Sequence, residues 1–327
     1  MSAGNVQCRL CPKECRIAPG EAGNCNIRVN LDGELLALTY AHPSALHVDP
    51  IEKKPLAHFL PGSEAFSVAT CGCNLHCRNC QNWELSQTPA EDADVYHLPP
   101  AELVAAAVAE GCASIAYTYS EPLVYYEYTH DSSVLAREAG LRNVLVTAGF
   151  VNEEPARRLF AVTDAANIDL KSMDPAFYRD VCDAELKPVL DTIVLARELG
   201  LWIEITNLVI PTLNDEPDQI RELARWIVRS VGPETPLHLS RFSPRYRMQN
   251  LPPPPAATLA MAREVALEEG LQQVFVGNLR GTEGEHSYCP VDGTPLIRRV
   301  GYQIVENRIG TEGRCPECGT EIAGVWK

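Results

Sequence analysis

Between about residue 66 and residue 280, short apolar, β-branched runs alternate with helical patterns six or seven times, and few folds accept such a chain. The runs predict strands at Phe66–Thr70, Ser114–Thr118, Asn143–Thr147, Ala166–Leu170, Trp202–Val209, Leu237–Ser240 and Gln273–Val276. Between them helices are predicted at Pro100–Glu110, Pro122–Ala139, Glu153–Ala161, Pro188–Leu199, Glu216–Val231 and Ala256–Glu269, several ending at a glycine suited to a C-cap. The outcome is α/β: a partial or complete parallel (β/α) barrel, or a doubly wound sheet. Polar or glycine-bearing residues follow almost every strand: a cysteine run, Tyr119–Pro122, Ala148-Gly149, Asp169 and Lys171, Thr206-Asn207, Arg241 and Asn278. Around a barrel axis these would share one mouth, which favours the barrel.

The flanks differ from this core. Residues 1–65 are rich in Cys, Pro, Gly and His, with a hairpin predicted between Cys25–Val29 and Glu34–Tyr40 across Asp32-Gly33. Residues 286–327 return to short strands, turns and spaced cysteines. The expected organisation is therefore a Cys-rich N-terminal metal-binding module (1–65), a barrel (66–285) and a zinc-ribbon-like C-terminal module (286–327). A net charge of −15 and a pI near 5.0 have the wrong sign for a general binder of nucleic-acid phosphates. No basic-then-apolar leader and no run of about 18 apolar residues is present, so a cytoplasmic protein without a membrane partner is expected. In a reducing compartment 13 cysteines, all but Cys112 and Cys182 clustered, point to metal or redox chemistry rather than disulfides.

Directly after the first barrel strand stands Cys73-x3-Cys77-x2-Cys80. Three thiolates so spaced can wrap one side of an Fe–S cubane and leave one iron open, whereas a closed cluster takes four. Cys71 as fourth ligand would give an ordinary electron-transfer cluster, and four thiolates could also hold structural zinc. In this position the triplet resembles the hallmark of radical S-adenosylmethionine (SAM) enzymes. The resemblance implies a [4Fe–4S] cluster whose open iron binds the amino and carboxylate groups of SAM. It further implies cleavage to methionine and a 5′-deoxyadenosyl radical that abstracts hydrogen from a substrate.

More of the chain is similar to pyruvate formate-lyase-activating-enzyme-like members. By that likeness Ser120 and Glu121, in Tyr119-Ser-Glu-Pro122, would meet the SAM amino group, and Asp169 with Lys171 would help hold SAM. The turn Thr147-Ala148-Gly149-Phe150 resembles a Thr-Asn-Gly turn, with Ala148 in place of Asn, and Asn207–Asn214 resembles the segment near ribose and adenine. Read as residues alone, Glu121 could cap a helix begun at Pro122, and Asp169 with Lys171 could be a strand-end ion pair. Asp49–Leu56, Gly72–Asn74, Cys80–Gln87, Leu239–Pro244 and Cys315–Gly319 together resemble the AmmeMemoRadiSam-system radical SAM enzymes. The implied partners are a flavodoxin- or ferredoxin-like electron donor, AMMECR- and Memo-type proteins, and a protein, peptide or small-molecule substrate. A glycyl-radical activase is one form this enzyme could take. The competing class is a non-catalytic Fe–S or zinc protein for electron transfer or scaffolding.

Cys8-x2-Cys11-x3-Cys15-x9-Cys25 offers four thiolates, enough for zinc or for a second Fe–S cluster, and His42, His47 or His58 could replace a ligand. Cys289, Cys315 and Cys318 form an incomplete zinc ribbon, with Asp292, His286 or water as the candidate fourth ligand. Cys112 and Cys182 are expected to be buried and non-catalytic. Of the basic residues Lys53, Lys54, Arg241, Arg245 and Arg247, Arg241 suits a substrate carboxylate or phosphate at the mouth.

Overall fold

The computed structural model describes residues 4–310 and 312–327. Two short antiparallel pairs open the chain, β1 (Val6–Gln7) with β2 (Arg16–Ile17) and β3 (Arg28–Leu31) with β4 (Glu34–Ala37). The second pair turns at Asp32-Gly33, both at positive φ, as the dipeptide predicts. Its first strand starts three residues late, because Cys25 and Asn26 lie in a turn in which Asn26 N donates to Gly23 O.

One sheet of eight strands forms the body: β5 (Ala45–Pro50), β6 (Glu64–Ala69), β7 (Ser114–Tyr117), β8 (Arg142–Thr147), β9 (Ala165–Asp169), β10 (Trp202–Val209), β11 (Leu237–Arg241) and β12 (Val274–Gly277). Spatial order follows chain order with no reversal, and all pairs are parallel except β5–β6. A doubly wound sheet requires a switch point, so this is a singly wound, incomplete barrel with β5 and β12 as its edges.

Helices follow the strands: α1 (Trp83–Ser86), α2 (Pro100–Ala109), α3 (Tyr126–Glu138), α4 (Glu153–Phe160), α5 (Pro175–Phe177), α6 (Leu186–Glu198), α7 (Pro217–Ser230) and α8 (Ala256–Glu268). A π-helical turn, Tyr178–Cys182, continues α5. Proline stands in the first turn of α2 and α7, where its missing N–H costs no helix bond, and Glu216 with Gln219 closes a capping box on α7.

The two faces of the sheet separate by residue type, as period-2 alternation demands. Ile115, Leu145, Ile168, Ile205, Leu239 and Val276 pack outward into the large core shared with the helices. On the concave side Ala65, Ala116, Val144 and Ala165 meet Ile51, Leu56 and Phe59 in a second cluster. Residues 51–60, between β5 and β6, therefore floor the half-barrel. Polar groups tie the floor down: Glu204 accepts from Ala57 N and His58 N at 2.8 Å each and pairs with His238 at 2.6 Å, while Asn167 donates to Pro55 O at 2.7 Å.

The tail forms a three-stranded sheet of β13 (Ser287–Tyr288), β14 (Pro295–Val300) and β15 (Gln303–Asn307). It clasps the same floor. His58 bonds Ala323 O and Ser287 Oγ at 2.9 Å each, Val325 N donates to His58 O at 2.7 Å, and Arg299 donates to Ala57 O at 2.7 Å.

Candidate active site at the strand ends

The loop after β6 leaves the sheet at Gly72, whose φ is +90°. A Cβ there would stand 2.5 Å from Ile27 and 2.7 Å from the Cys25 carbonyl, so only glycine fits. The loop then winds across the barrel mouth, pinned where His76 N donates to Cys182 O at 3.0 Å and Arg78 N to Val181 O at 2.9 Å. Cys73, Cys77 and Cys80 thereby line one wall of a cavity of about 320 Å³. Leu75 N donates to the Cys73 sulfur at 3.4 Å, and Ser86 Oγ lies 3.3 Å from the Cys80 sulfur. Cys71 is fully buried, with Ser44 beside its thiol, and does not line the cavity, which corrects the alternative of a fourth ligand from this position.

The same cavity is lined by Ser120, Glu121, Asp169 and Lys171 from the ends of β7 and β9. Glu121 accepts from Thr147 Oγ1 at 2.6 Å, Ala148 N at 2.8 Å and Leu123 N at 3.1 Å. Burial outweighs these bonds and pushes its carboxyl up to about 7. Glu121 does not cap a helix begun at Pro122: α3 starts at Tyr126, and the preceding residues form turns. Lys171 Nζ pairs with Asp169 at 2.7 Å. Burial opposes the charge on Lys171, but Asp169 and the thiols of Cys77 and Cys182 outweigh it and raise the ammonium's affinity for its proton.

Gly149 and Asn207 stand behind the wall rather than in it. Gly149, at φ +67°, packs a Cβ distance of 3.0 Å from Ile168. The Asn207 amide donates to Leu170 O at 2.8 Å and Lys171 O at 3.1 Å, so it holds the end of β9 in place. Ser120 Oγ likewise donates to Thr70 O at 2.6 Å.

A residue without an assigned role in the sequence is brought to this site. Cys182, fully buried at the end of the π-helical turn, hydrogen-bonds Cys77, which lowers the Cys77 thiol and raises its own. Nothing local announces that contact across a hundred residues of chain. Cys112 is buried in the core as expected.

A second cavity, of about 640 Å³, shares Lys53, Gln81, Ser240 and Asn278 with the first. Lys53, Arg241, Arg245 and Arg280 line it against Glu52 and Glu285, an excess of cations in an acidic protein. Lys53 is paired to Asp49 at 2.6 Å, and Arg241 Nε donates to Pro254 O at 2.8 Å. Lys54 is buried against Asp49 and over the Tyr119 ring, where desolvation pulls it down to about 8. Arg247 lies over the Tyr246 ring and lines neither cavity.

In the tail, Cys289, Asp292, Cys315 and Cys318 bring their ligand atoms within 4.8 Å of one another, the only such group among the described residues. Cys289 and Cys318 sulfurs are 3.6 Å apart, and Cys315 lies 3.7 Å from Asp292 Oδ2. His286 instead accepts from Arg299 N at 3.2 Å and stays outside the group. At the other end Cys8, Cys11, Cys15 and Cys25 line one small cavity without His42, His47 or His58.

The radical SAM superfamily model matches residues 67–227, the stretch that carries the triplet and β6 to α7. An uncharacterized protein of Methanocaldococcus jannaschii is 45% identical over 319 residues, covering 97% of this chain and 95% of that protein. A pyruvate formate-lyase-activating enzyme of Listeria monocytogenes is 23% identical over 223 residues, covering 61% of this chain and 88% of the enzyme. Among solved structures, a radical SAM methyltransferase from Sphaerobacter thermophilus shares the fold with a TM-score of 0.51 at 17% identity, over 68% of each chain. The chain belongs to the radical SAM superfamily: it is an enzyme that uses a [4Fe–4S] cluster to cleave SAM, and it needs an electron donor and a substrate.

Proposed function

We propose that Cys73, Cys77 and Cys80 hold the [4Fe–4S] cluster and that the cavity they line is the SAM site. The observation that carries this reading is the shared lining: three thiols occupy one wall, Cys182 stands behind Cys77 outside the lining, and a buried carboxylate and a Lys–Asp pair complete the enclosure. That donor set fits a cluster with one iron left for substrate ligation. When bound, the cluster and SAM supply a 5′-deoxyadenosyl radical by one-electron reductive cleavage.

The protein groups have separable tasks. Glu121, fixed by Thr147, Ala148 and Leu123, offers a carboxylate to the SAM ammonium, and that cation returns it to the ionised form. Lys171, kept protonated by Asp169, presents positive charge beside the Cys77 thiolate. Gly149 and Asn207 keep the strand ends in register behind the site, and Ser120, in the lining, ties its turn to the end of β6 through Thr70 O. The larger, cation-lined cavity receives the substrate, and Arg241 with Arg245 selects one bearing a carboxylate or phosphate.

The tail group, Cys289, Asp292, Cys315 and Cys318, is read as a structural zinc site, since thiolates and a carboxylate at this spacing suit a tetrahedral ion. The expected boundary at 65/66 moves to about residue 44, because Ala45–Pro50 joins the eight-stranded sheet and residues 51–60 floor it; the remaining division separates an N-terminal metal module, the radical chemistry and a stabilising ribbon. The motif stretches from Asp49–Leu56 to Cys315–Gly319 support AMMECR- and Memo-type partners, with a flavodoxin- or ferredoxin-like donor. Thirteen unpaired cysteines favour the reducing cytoplasm; among the described residues no helix is long and apolar enough to cross a membrane. The test is anaerobic reconstitution with dithionite and SAM. Formation of 5′-deoxyadenosine, lost in Cys73→Ala, supports the reading; no SAM cleavage by protein with an assembled cluster sinks it.

A further inference from the structure

Zinc in a tetrahedron of thiolates at about 2.3 Å holds its sulfurs only about 3.8 Å apart. A cubane, with a separate iron beneath each thiolate, holds them farther apart. The tail group has the tight spacing. The N-terminal group does not: among the described residues, no three of the sulfurs of Cys8, Cys11, Cys15 and Cys25 lie within 4.8 Å of one another, although all four line one cavity. Cys73, Cys77 and Cys80 share that open spacing.

The surroundings suit an anionic cluster. Arg28 lines the cavity with its Nε buried and without a hydrogen-bond partner among the described atoms, while its terminal nitrogens pair with Glu127. Asn24 N donates to the Cys15 sulfur at 3.4 Å. N–H donors directed at sulfur, with a nearby cation, favour the added negative charge of a reduced cluster.

The cavity also abuts the catalytic loop at two points. Asn74, the residue after Cys73, lines it, with its Nδ2 anchored to Phe150 O at 2.7 Å and its Oδ1 buried without a hydrogen-bond partner among the described atoms. On the other side of Cys73, Gly72 packs on the Cys25 carbonyl. Both neighbours of Cys73 in sequence thus touch the N-terminal thiol cage.

We propose that Cys8, Cys11, Cys15 and Cys25 bind a second [4Fe–4S] cluster, and that this site relays electrons to the Cys73–Cys77–Cys80 site through the Asn74 and Gly72 contacts. One electron enters from an external one-electron donor such as reduced flavodoxin and passes on to the cluster that cleaves SAM; no bond or proton moves at the N-terminal site. The relay rests on the assignment of Cys73, Cys77 and Cys80 made above.

The experiment uses the full chain purified and reconstituted anaerobically. About eight iron and eight sulfide per chain are expected, four for each cluster, with two reduced-cluster EPR signals of which SAM perturbs one. Four iron, or zinc in place of the second set, overturns the site. Cys11→Ala/Cys15→Ala should lose the SAM-insensitive signal, and Cys73→Ala/Cys77→Ala the SAM-sensitive one. If the second variant keeps the SAM-sensitive signal, the catalytic assignment fails and the relay with it, while an iron count in that variant still decides the N-terminal cluster. For the relay, 5′-deoxyadenosine formation by Cys11→Ala/Cys15→Ala should fall at least about tenfold more with flavodoxin than with dithionite; equal losses overturn it. The wild-type count and spectra decide the site even if that variant misfolds.

Discussion

The barrel mouth and the C-terminal ribbon use the same ligand chemistry to opposite ends. Cys73, Cys77 and Cys80 sit on a loop wrapped over strand ends, open to a cavity and widely spaced. Cys289, Asp292, Cys315 and Cys318 close on one another within 4.8 Å, backed by a small core of Leu296, Ile297, Ile309 and Ile322. On the proposed reading, spacing and what stands behind the thiols, rather than their number, separate a site that accepts a substrate from one that cross-links a fold.

The largest effect that bears on this contrast is on turnover. Cys73→Ala, Cys77→Ala or Cys80→Ala should reduce 5′-deoxyadenosine formation by about a thousandfold or more, whereas Cys289→Ala should change it only a few-fold while removing zinc; the contrast breaks if both do the same. Next comes stability. Stripping zinc from the tail should lower the unfolding free energy by about 3 kcal/mol or more, read as a lower Tm restored by added zinc, because an ion that binds only the folded ribbon stabilises by mass action.

A third test uses pH. The Glu121 carboxyl is raised to about 7, above its unfolded value near 4.5, so the folded protein binds the extra proton. Stability of the SAM-free protein is then highest below pH 4.5 on this account and declines as pH rises through 7, by up to about 3 kcal/mol. Glu121→Gln should flatten that decline in denaturant titrations and weaken SAM binding by about tenfold. An unchanged slope would mean that the carboxylate is ionised in the free site. The smallest effect belongs to the ribbon: Asp292→Cys should retain zinc and raise stability by about 1 kcal/mol, whereas loss of zinc in this variant would show that the oxygen ligand is required.

All seven parallel strands are legible in the sequence because each is a short, mostly buried run bounded by turn residues and alternating with helical segments. The antiparallel edge strand β5 is not. Its Leu-His-Val-Asp alternates, but burial runs against residue type, with Val48 exposed and Asp49 buried because Lys53 and Lys54 pair with it and the Tyr119 hydroxyl donates to it. The start of α3 is misread because Pro122 is a good first helical residue, while the chain makes turns until Tyr126. At the site, the family resemblance points to Glu121, Asp169 and Lys171, which the residues alone leave open, while the position of Asn207 behind the wall and of Cys182 against Cys77 depends on contacts between distant elements. Asp292 stands where a cysteine is usual, and only the fold shows that it, rather than His286, reaches the three thiols.

The floor of the barrel is fastened by the tail: His58 to Ala323 across 265 positions, with Val325 N donating to the His58 carbonyl and Leu60 N to Val325 O, each at 2.7 Å. Such distant pairing is slow and entropically costly to close. During synthesis, residues 51–60 must therefore wait for the last of these segments to leave the ribosome, and a chain interrupted before them carries its strands and its cysteine loops over an unfastened floor. Residues 51–60 of such a chain should be open to limited proteolysis, and fastening by the ribbon should close them.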